Sequence, residues 1–453
     1  MTASPEPRGR SGERAVLIAV PALADTGRAS VAAAEDVELA RLLACGGLRA
    51  VYQPIVELDT NATVAYEALV RGPRSSVLQS PDRLFTAARR AGRLTELDRA
   101  CQAAAAAGAR TGGIRTPWTL FVNVEPESAA STIGTALDGG LLTGAGGPGP
   151  GSLDCQIVVE FTERALIADP TTLLEMVARI RARGWGIALD DVGAHPDSLT
   201  LLPLLQPDVI KLDLSLVQRR PSAEIAAIVM AVNAEAESSG SAVLAEGIET
   251  EEHRNIALAM GASLGQGWLL GRPVELPDPL PGFTGTAVRV NGSGGIAPTR
   301  SPFTLAAAHR TPRLSRKELL IELSKHIEAQ AMNAGESTVV LATFQDARFF
   351  TSGTGERYTR LAQRAAFVGV LGQDMPAVPL PGIRGCVLDP GDPLIGEWDI
   401  AVVGPHYAAV LVARDLGDTG PDRERRFEFV LSHDRRLAVQ VSLALIARVW
   451  PQP

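Results

Sequence analysis

From residue 51 to residue 270 the chain repeats one pattern: an apolar run of six to eight residues, too short for a buried helix, then a longer stretch of helical periodicity. The runs are VYQPIVEL (51 to 58), VAYEALV (64 to 70), TLFVNV (119 to 124), CQIVVEF (155 to 161), GIALDDV (186 to 192), DVIKLDL (208 to 214), AVLAEGI (242 to 248) and GQGWLL (265 to 270). Helical patterns fall between most of them, at 82 to 107, 171 to 183, 198 to 205, 222 to 238 and 251 to 260. Short apolar strands alternating with helices predict a mainly parallel sheet covered on both faces. Eight of them within about 245 residues match an α/β fold of the (β/α)8 TIM-like barrel type in number and length.

Polar residues sit in or directly after these apolar runs: Glu67, Glu160, Asp190, Asp191, Lys211, Glu246 and Gln266. An ionised carboxylate in an apolar interior is very costly unless it is paired or bound to a metal. A single charge that ends a strand is unremarkable, because charges belong at the surface. The same placement recurring strand after strand is not, since the C-terminal strand ends of a barrel converge on one mouth. Glu67, Asn123, Glu160, Asp190, Asp191 and Glu246 supply a set of hard oxygen donors suited to Mg2+ or Mn2+ and poorly suited to zinc. The adjacent pair Asp190-Asp191 can serve two cations, as two-metal phosphoryl chemistry requires. Lys211 beside them can neutralise developing negative charge or position the attacking water, and Arg71 offers a fork for a phosphate. Lysine occurs only at 211, 317 and 325 among 43 basic residues, which makes a lysine at such a place more noticeable.

The remaining sequence sets the frame. Residues 1–35, small, polar and rich in Pro and Gly apart from one apolar run, are expected to be a disordered tail, residues 36–283 the barrel and the Gly/Ser/Thr/Pro-rich stretch 284–302 a linker. A smaller α/β domain is expected over 303–453, with a helix at 314 to 334, a strand at 338 to 344, a helix at 357 to 366, strands FVGVLG, WDIAVVG and YAAVLVA, and a closing helix from Asp434. A net charge of −8 provides no basic field for a polynucleotide or an anionic membrane, and no apolar stretch reaches the 18 residues of a spanning helix. Arg8, Arg10 and Arg14 ahead of AVLIAVPALA mimic a secretion signal, but Glu6 and Glu13 spoil its positive region and Pro21 breaks its apolar run. Cys45, Cys101, Cys155 and Cys386 lie far apart without paired spacing, which fits a reducing cytoplasm and neither a disulfide framework nor a zinc site.

YQPIV at 52, EALVR at 67, FVNVEP at 121, VVEFTE at 158, DDVG at 190, VIKLD at 209, AEGIET at 245 and QGWLLGRP at 266 together resemble the EAL domain, the family of cyclic di-GMP phosphodiesterases. The resemblance implies two divalent cations, Mg2+ or Mn2+, held by Glu67, Asn123, Glu160, Asp190, Asp191 and Glu246. It also implies that Lys211 and Glu249 belong to the water network, with Glu246 and those two forming the catalytic group. Arg71 and Gln266 are then expected at the substrate, and Glu163 as the anchor of the loop after DDVG. The implied reaction is hydrolysis of cyclic di-GMP to linear pGpG. The family's DDFG and its following loop are here DDVGAHPDS, and the tryptophan common after the EAL arginine is Gly72. That loop is linked in the family with a homodimer and with ordering of the metal site, so rate and regulation are affected more than chemistry. A GGDEF-like cyclase signature is missing from the sequence.

RYTRLAQRA at 357, DPLIGEWDIAVVGPHYAAVLVARDL at 392 and FEFVLSHDR at 427 resemble the DICT sensory domain, which brings no chemistry to transfer. Trp398 and His433 there read first as packing or capping residues and second as part of a ligand pocket. Three functions remain open: a phosphodiesterase under sensory control, a catalytically silent receptor that binds cyclic di-GMP at the same mouth and signals by conformation, and a barrel metalloenzyme acting on an unrelated substrate, since fold alone does not fix function.

Overall fold

The structure, a computed structural model, describes residues 23–125, 153–162, 170–194, 199, 202–290, 300–334 and 337–449. Eight strands close into a barrel in sequence order: β1 (Arg49–Glu57), β2 (Ala62–Arg71), β3 (Thr119–Asn123), β4 (Gln156–Thr162), β5 (Gly186–Val192), β6 (Val209–Leu212), β7 (Ala242–Ala245) and β8 (Leu264–Gly265). β2 through β8 run parallel, whereas β1 is antiparallel to both of its neighbours. One strand is therefore reversed relative to a fully parallel barrel, and this affects which of its residues face the mouth.

Strands buried on both faces are apolar along most of their length, and β6 is buried throughout, at Val209, Ile210, Lys211 and Leu212, with Lys211 its one charged residue. Period-two alternation divides each strand between two cores. One core lies inside the barrel and takes a residue from every strand: Ile55, Ala65, Phe121, Val158, Ala188, Val209, Leu244 and Leu264. The other lies under the surrounding helices and takes Leu120, Val159, Ile187, Ile210 and Val243. Val288 and Val290, in the first part of the expected linker, pack against the inner core and help close the barrel floor.

Several elements differ from the sequence expectation. Residues 23–35, expected in the tail, form the first half of the helix Leu23–Cys45, where Glu35 is buried and paired with Arg83 at 3.0 Å. The expected helix 82 to 107 is two helices, Pro81–Arg90 and Leu94–Thr111, because Gly92 turns the chain with φ +65°. Of the apolar run 265 to 270 only Gly265 lies in β8, since Gly267, at φ +155°, brings the chain so close to Ile248 that a Cβ there would lie 2.3 Å from its backbone nitrogen.

The second unit is a seven-stranded sheet, in spatial order β12-β11-β10-β13-β14-β15-β9. Its strands are β9 (Arg313–Arg316), β10 (Val339–Asp346), β11 (Phe367–Gln373), β12 (Arg384–Val387), β13 (Glu397–Val403), β14 (Ala408–Asp415) and β15 (Arg426–Ser432). The expected helix at 314 to 334 thus begins as an edge strand and becomes helical only from Lys317 to Asn333. Both sheet faces are covered: Val340, Ala342 and Ile400 pack with Leu320 and Tyr358 on one side, and Val339, Leu341 and Ala401 with Leu437 and Val441 on the other. The closing helix Arg435–Val449 also packs against the barrel segment Leu202–Leu205, and Arg435 Nη2 meets Glu235 Oε2 at 2.5 Å. Among the described residues no helix is long and apolar enough to cross a membrane.

Candidate active site

The inner core defines a layer, and the candidate site is the next layer up. Two residues beyond Ala65, Phe121, Val158, Ala188, Val209, Leu244 and Leu264, on the same strand face, stand Glu67, Asn123, Glu160, Asp190, Lys211, Glu246 and Gln266. On the reversed β1 the equivalent step runs backwards from Ile55 to Gln53, which pairs in register with Glu67. Every strand thus contributes one polar side chain to a single layer at the barrel mouth. Gln53 was not among the residues expected from sequence, because its strand runs against the rule used to find the others.

Hydrogen bonds knit this layer together. Gln266 Nε2 donates to Glu67 Oε2 at 2.5 Å and to Gln53 Oε1 at 3.0 Å, and Asn123 Nδ2 donates to Glu67 Oε1 at 3.0 Å. Lys211 is 1% exposed and stands among four carboxylates, its Nζ 2.8 Å from Glu246, 2.9 Å from Asp190, 3.0 Å from Glu160 and 4.0 Å from Glu67.

Asp191 enters the same region by a local distortion. Neighbouring residues of a regular strand point to opposite faces, yet the β5–β6 register shifts between Leu189 and Val192, and Asp191 has φ +57°. Aspartate tolerates this left-handed conformation better than most residues, and the Asp191 N–H donates to Asp190 Oδ1 at 3.0 Å. Asp190, Asp191 and Glu246 each bring a carboxylate oxygen within 4.8 Å of the others.

The electrostatics follow from burial and crowding. Burial pulls the Lys211 ammonium down, but Asp190, Glu160, Glu246 and Glu67 outweigh it and hold the group well above its usual value. Burial and then the Glu67 charge raise the Glu160 carboxyl well above the carboxylate range. Burial pushes Glu246 up to about 8 despite Lys211, with Asp190 and Glu67 adding to it. For Glu67 burial also acts upward, yet Lys211 and the amides of Gln266 and Asn123 leave it below its usual value. One ammonium cannot neutralise this many carboxylates. Both Glu160 oxygens are buried without a hydrogen bond, the Lys211 ammonium lying 3.0 Å away but off the line of one. Oxygen donors held together and left short of positive charge fit a divalent cation.

A cavity of about 300 Å3 opens in front of this layer, lined by Glu67, Arg71, Asn123, Asp190 and the helix residues Asp98 and Gln102. Arg71, at the end of β2, donates from Nη1 to the Val70 carbonyl at 3.0 Å. Gly72 permits the turn that follows, because a Cβ there would lie 2.0 Å from the Leu78 carbonyl oxygen. Asp98 was also missed from sequence. It accepts from Gln102 Nε2 at 3.0 Å and from the Glu125 N–H at 3.3 Å, and burial pushes its carboxyl up to about 7. Its sequence signal is a polar residue inside the buried stripe Leu94, Leu97, Cys101 and Ala105 of its helix. The structure does not bring Glu249 into the cluster: it is exposed, and its N–H meets His253 Nδ1 at 3.3 Å. Glu163 and residues 195–198 of the loop after DDVG lie outside the described residues.

Comparison with known proteins gives two family matches. Residues 36–273 match the EAL domain model, and residues 303–416 match a family described as a sensory domain in diguanylate cyclases and two-component systems. Cyclic di-GMP phosphodiesterase RocR of Pseudomonas aeruginosa is 30% identical over 240 residues, covering 52% of this chain and 60% of RocR. Cyclic di-GMP phosphodiesterase PA2567 of the same organism is 30% identical over 238 residues, covering 52% of this chain and 39% of the relative. The chain thus spans less than two thirds of the length of these curated relatives. Among solved structures, Klebsiella pneumoniae BlrP1 in a manganese and cyclic di-GMP complex aligns with a TM-score of 0.43 at 30% identity, covering 50% of this chain and 56% of that one.

Proposed function

The chain belongs to the EAL domain family, and on that premise we propose that its barrel hydrolyses cyclic di-GMP to linear pGpG by a two-metal mechanism under the control of the second domain. The observation that carries this reading is the polar layer: oxygen donors from successive strands converge on one mouth, and the buried Glu160 carboxylate is left without a hydrogen bond. Glu67, Asn123, Glu160, Asp190, Asp191 and Glu246 would hold two divalent cations, Mg2+ or Mn2+. Those cations would supply Lewis-acid charge at the scissile phosphodiester. Gln266 and Asn123, which donate to the two oxygens of Glu67, fix the orientation of that carboxylate. Arg71, on the wall of the cavity, would take a phosphate oxygen of the substrate. Lys211 carries a positive charge in the layer and would stabilise the charge that grows on the phosphorus oxygens as water attacks. One phosphorus–oxygen ester bond breaks, the water oxygen joins that phosphorus, and the water's proton passes to the departing hydroxyl.

Incubation of the purified chain with cyclic di-GMP and Mn2+ or Mg2+, followed by chromatography, tests the reading. Linear pGpG should accumulate. Binding that leaves the dinucleotide intact would make the barrel a receptor, and neither binding nor turnover would remove cyclic di-GMP as its ligand.

A further inference from the structure

The second domain contains a cavity of about 350 Å3 between one face of its sheet and the helices Lys317–Asn333 and Ser352–Ala362. This volume lies at the lower end of the range for small-molecule sites, about 300–1,000 Å3. Its apolar surface is largely aromatic: Phe344, Phe349, Tyr358 and Trp398 line it. Trp398 stands two residues before the core residue Ile400 on β13, on the same strand face, and remains half-buried, so one end of the cavity is walled by an indole. Flat rings of this kind favour a flat partner, by stacked or edge-on contact.

The charged lining points to the sign of that partner. Lys317, Lys325, Arg357 and Arg423 line the cavity against two carboxylates, Glu328 and Asp422. Both carboxylates are already engaged: Arg357 Nε meets Glu328 Oε2 at 2.6 Å, and Lys317 Nζ meets Asp422 Oδ1 at 2.7 Å. Lys325 at the rim is itself paired, its Nζ 2.8 Å from Glu322 Oε1, so the excess positive charge of the lining rests on Arg423, also near the rim. The placement of lysine is telling in a chain that otherwise uses arginine. Of the three lysines, Lys211 lies in the barrel layer and the other two line this cavity. β10 is also distorted here, with a register shift after Thr343 and Gln345 at φ +57°, as residues held at binding sites often are.

We propose that this cavity binds a planar aromatic small molecule bearing one anionic group. The ring lies among the aromatic side chains, and the anion lies toward Arg423, beside the Lys325–Glu322 pair. The inference is independent of the chemistry at the barrel mouth, so either can fail alone.

Isothermal titration calorimetry of the full chain with 2-naphthoate, 2-naphthamide and 2-naphthylmethylamine tests it. The carboxylate should bind with one-to-one stoichiometry, at least tenfold more tightly than the isosteric amide and amine. Trp398→Ala should weaken 2-naphthoate at least tenfold. Arg423→Glu, on an exposed turn where folding is not at risk, should weaken the carboxylate severalfold and leave the amide unchanged. Equal affinity for the amine and the carboxylate would overturn the anionic assignment. Undetectable binding of all three probes, or carboxylate binding untouched by both variants, would overturn the site.

Discussion

At the barrel mouth four carboxylates share the one ammonium of Lys211, whereas in the second domain's cavity Glu328 has Arg357 at 2.6 Å and Asp422 has Lys317 at 2.7 Å. The difference originates in sheet geometry. A closed barrel brings one side chain from each strand into a single layer, so a polar choice repeated along the sequence becomes a concentrated charge. An open sheet spreads its strands, and a cavity forms only where helices lift away from it, which leaves room for aromatic walls and for charges met one to one. Charge crowded beyond its internal partners calls for cations from outside. Carboxylates each matched by a cation of the wall call for no ion from outside, and the small positive excess left over can select an organic anion.

The largest expected effect breaks the crowded side of this contrast. Glu160→Ala or Asp190→Ala should lower kcat for cyclic di-GMP by about a thousandfold or more, about 4 kcal/mol in the barrier, and chelation should do the same until Mn2+ is restored. Lys211→Ala should follow at about a hundredfold in kcat, with Kd for the nucleotide changed far less, because its charge acts as the transition state forms. Full turnover with weakened binding would reduce Lys211 to a phosphate clamp. Most of wild-type activity surviving in the carboxylate variants under saturating Mn2+ would end the metal assignment.

Asp98, beside the mouth, sharpens the comparison through pH. Burial raises its carboxyl from 3.8 to about 7 in the folded chain, so the folded state binds this proton more tightly than the unfolded one does. The resulting stability is fully present below about pH 4 and is lost as pH rises through 7, a loss on the order of 4 kcal/mol at most. Asp98→Asn should remove that component. Denaturant unfolding at pH 4 and pH 7 should show a smaller decline for the variant than for the parent chain, and an identical decline would exclude Asp98 as the proton site.

A pair of isosteric substitutions then compares the two regions directly. With chelator present, Glu160→Gln should raise stability by about 1 kcal/mol, roughly 2–4 °C in Tm, because a permanently neutral amide removes the cost of either protonating the buried Glu160 carboxyl or crowding its charge beside Glu67 and Asp190. Glu328→Gln should instead lower stability by about 1–3 kcal/mol, since it weakens a charge-assisted hydrogen bond that was already satisfied. Shifts of the same sign in thermal melts would mean that the two regions do not differ in how they balance charge.

The legibility of these regions in sequence follows the same geometry. Glu67, Asn123, Glu160, Asp190, Lys211, Glu246 and Gln266 could be found because each follows an inner-core residue by two positions, a spacing the apolar runs display. Gln53 could not, because nothing in VYQPIVEL shows that β1 is reversed. Asp98 belongs to a helical stripe, and a rule based on strand ends passes over it. In the second domain β9, β12 and β15 were missed: β9 and β12 are short edge strands with largely exposed or half-buried side chains, RLSR and RGCV, which carry no apolar run to announce them, whereas β15, RFEFVLS, does show the alternation Phe427, Phe429, Leu431 and was passed over. The cavity was visible only as Trp398, since its other walls come from elements far apart in the chain.

The smallest expected effect concerns the join between the two regions. Arg435, at the start of the closing helix, reaches the buried Glu235 on the barrel helix Ala223–Ser239, and the same closing helix packs on Leu202–Leu205, shortly after the Asp190-Asp191 bulge in the chain. A contact so placed offers the second domain mechanical access to the segment that positions the mouth carboxylates. Arg435→Gln should therefore shift kcat by about threefold, most simply downward, an effect of only about 0.7 kcal/mol on the barrier. Two controls separate coupling from damage. Mn2+ dependence should shift along with kcat if the carboxylates are displaced, and 2-naphthoate binding in the distant cavity should be unchanged. If kcat and metal dependence both match the parent chain while thermal stability falls, the join is structural, and sensory control must reach the mouth by another route.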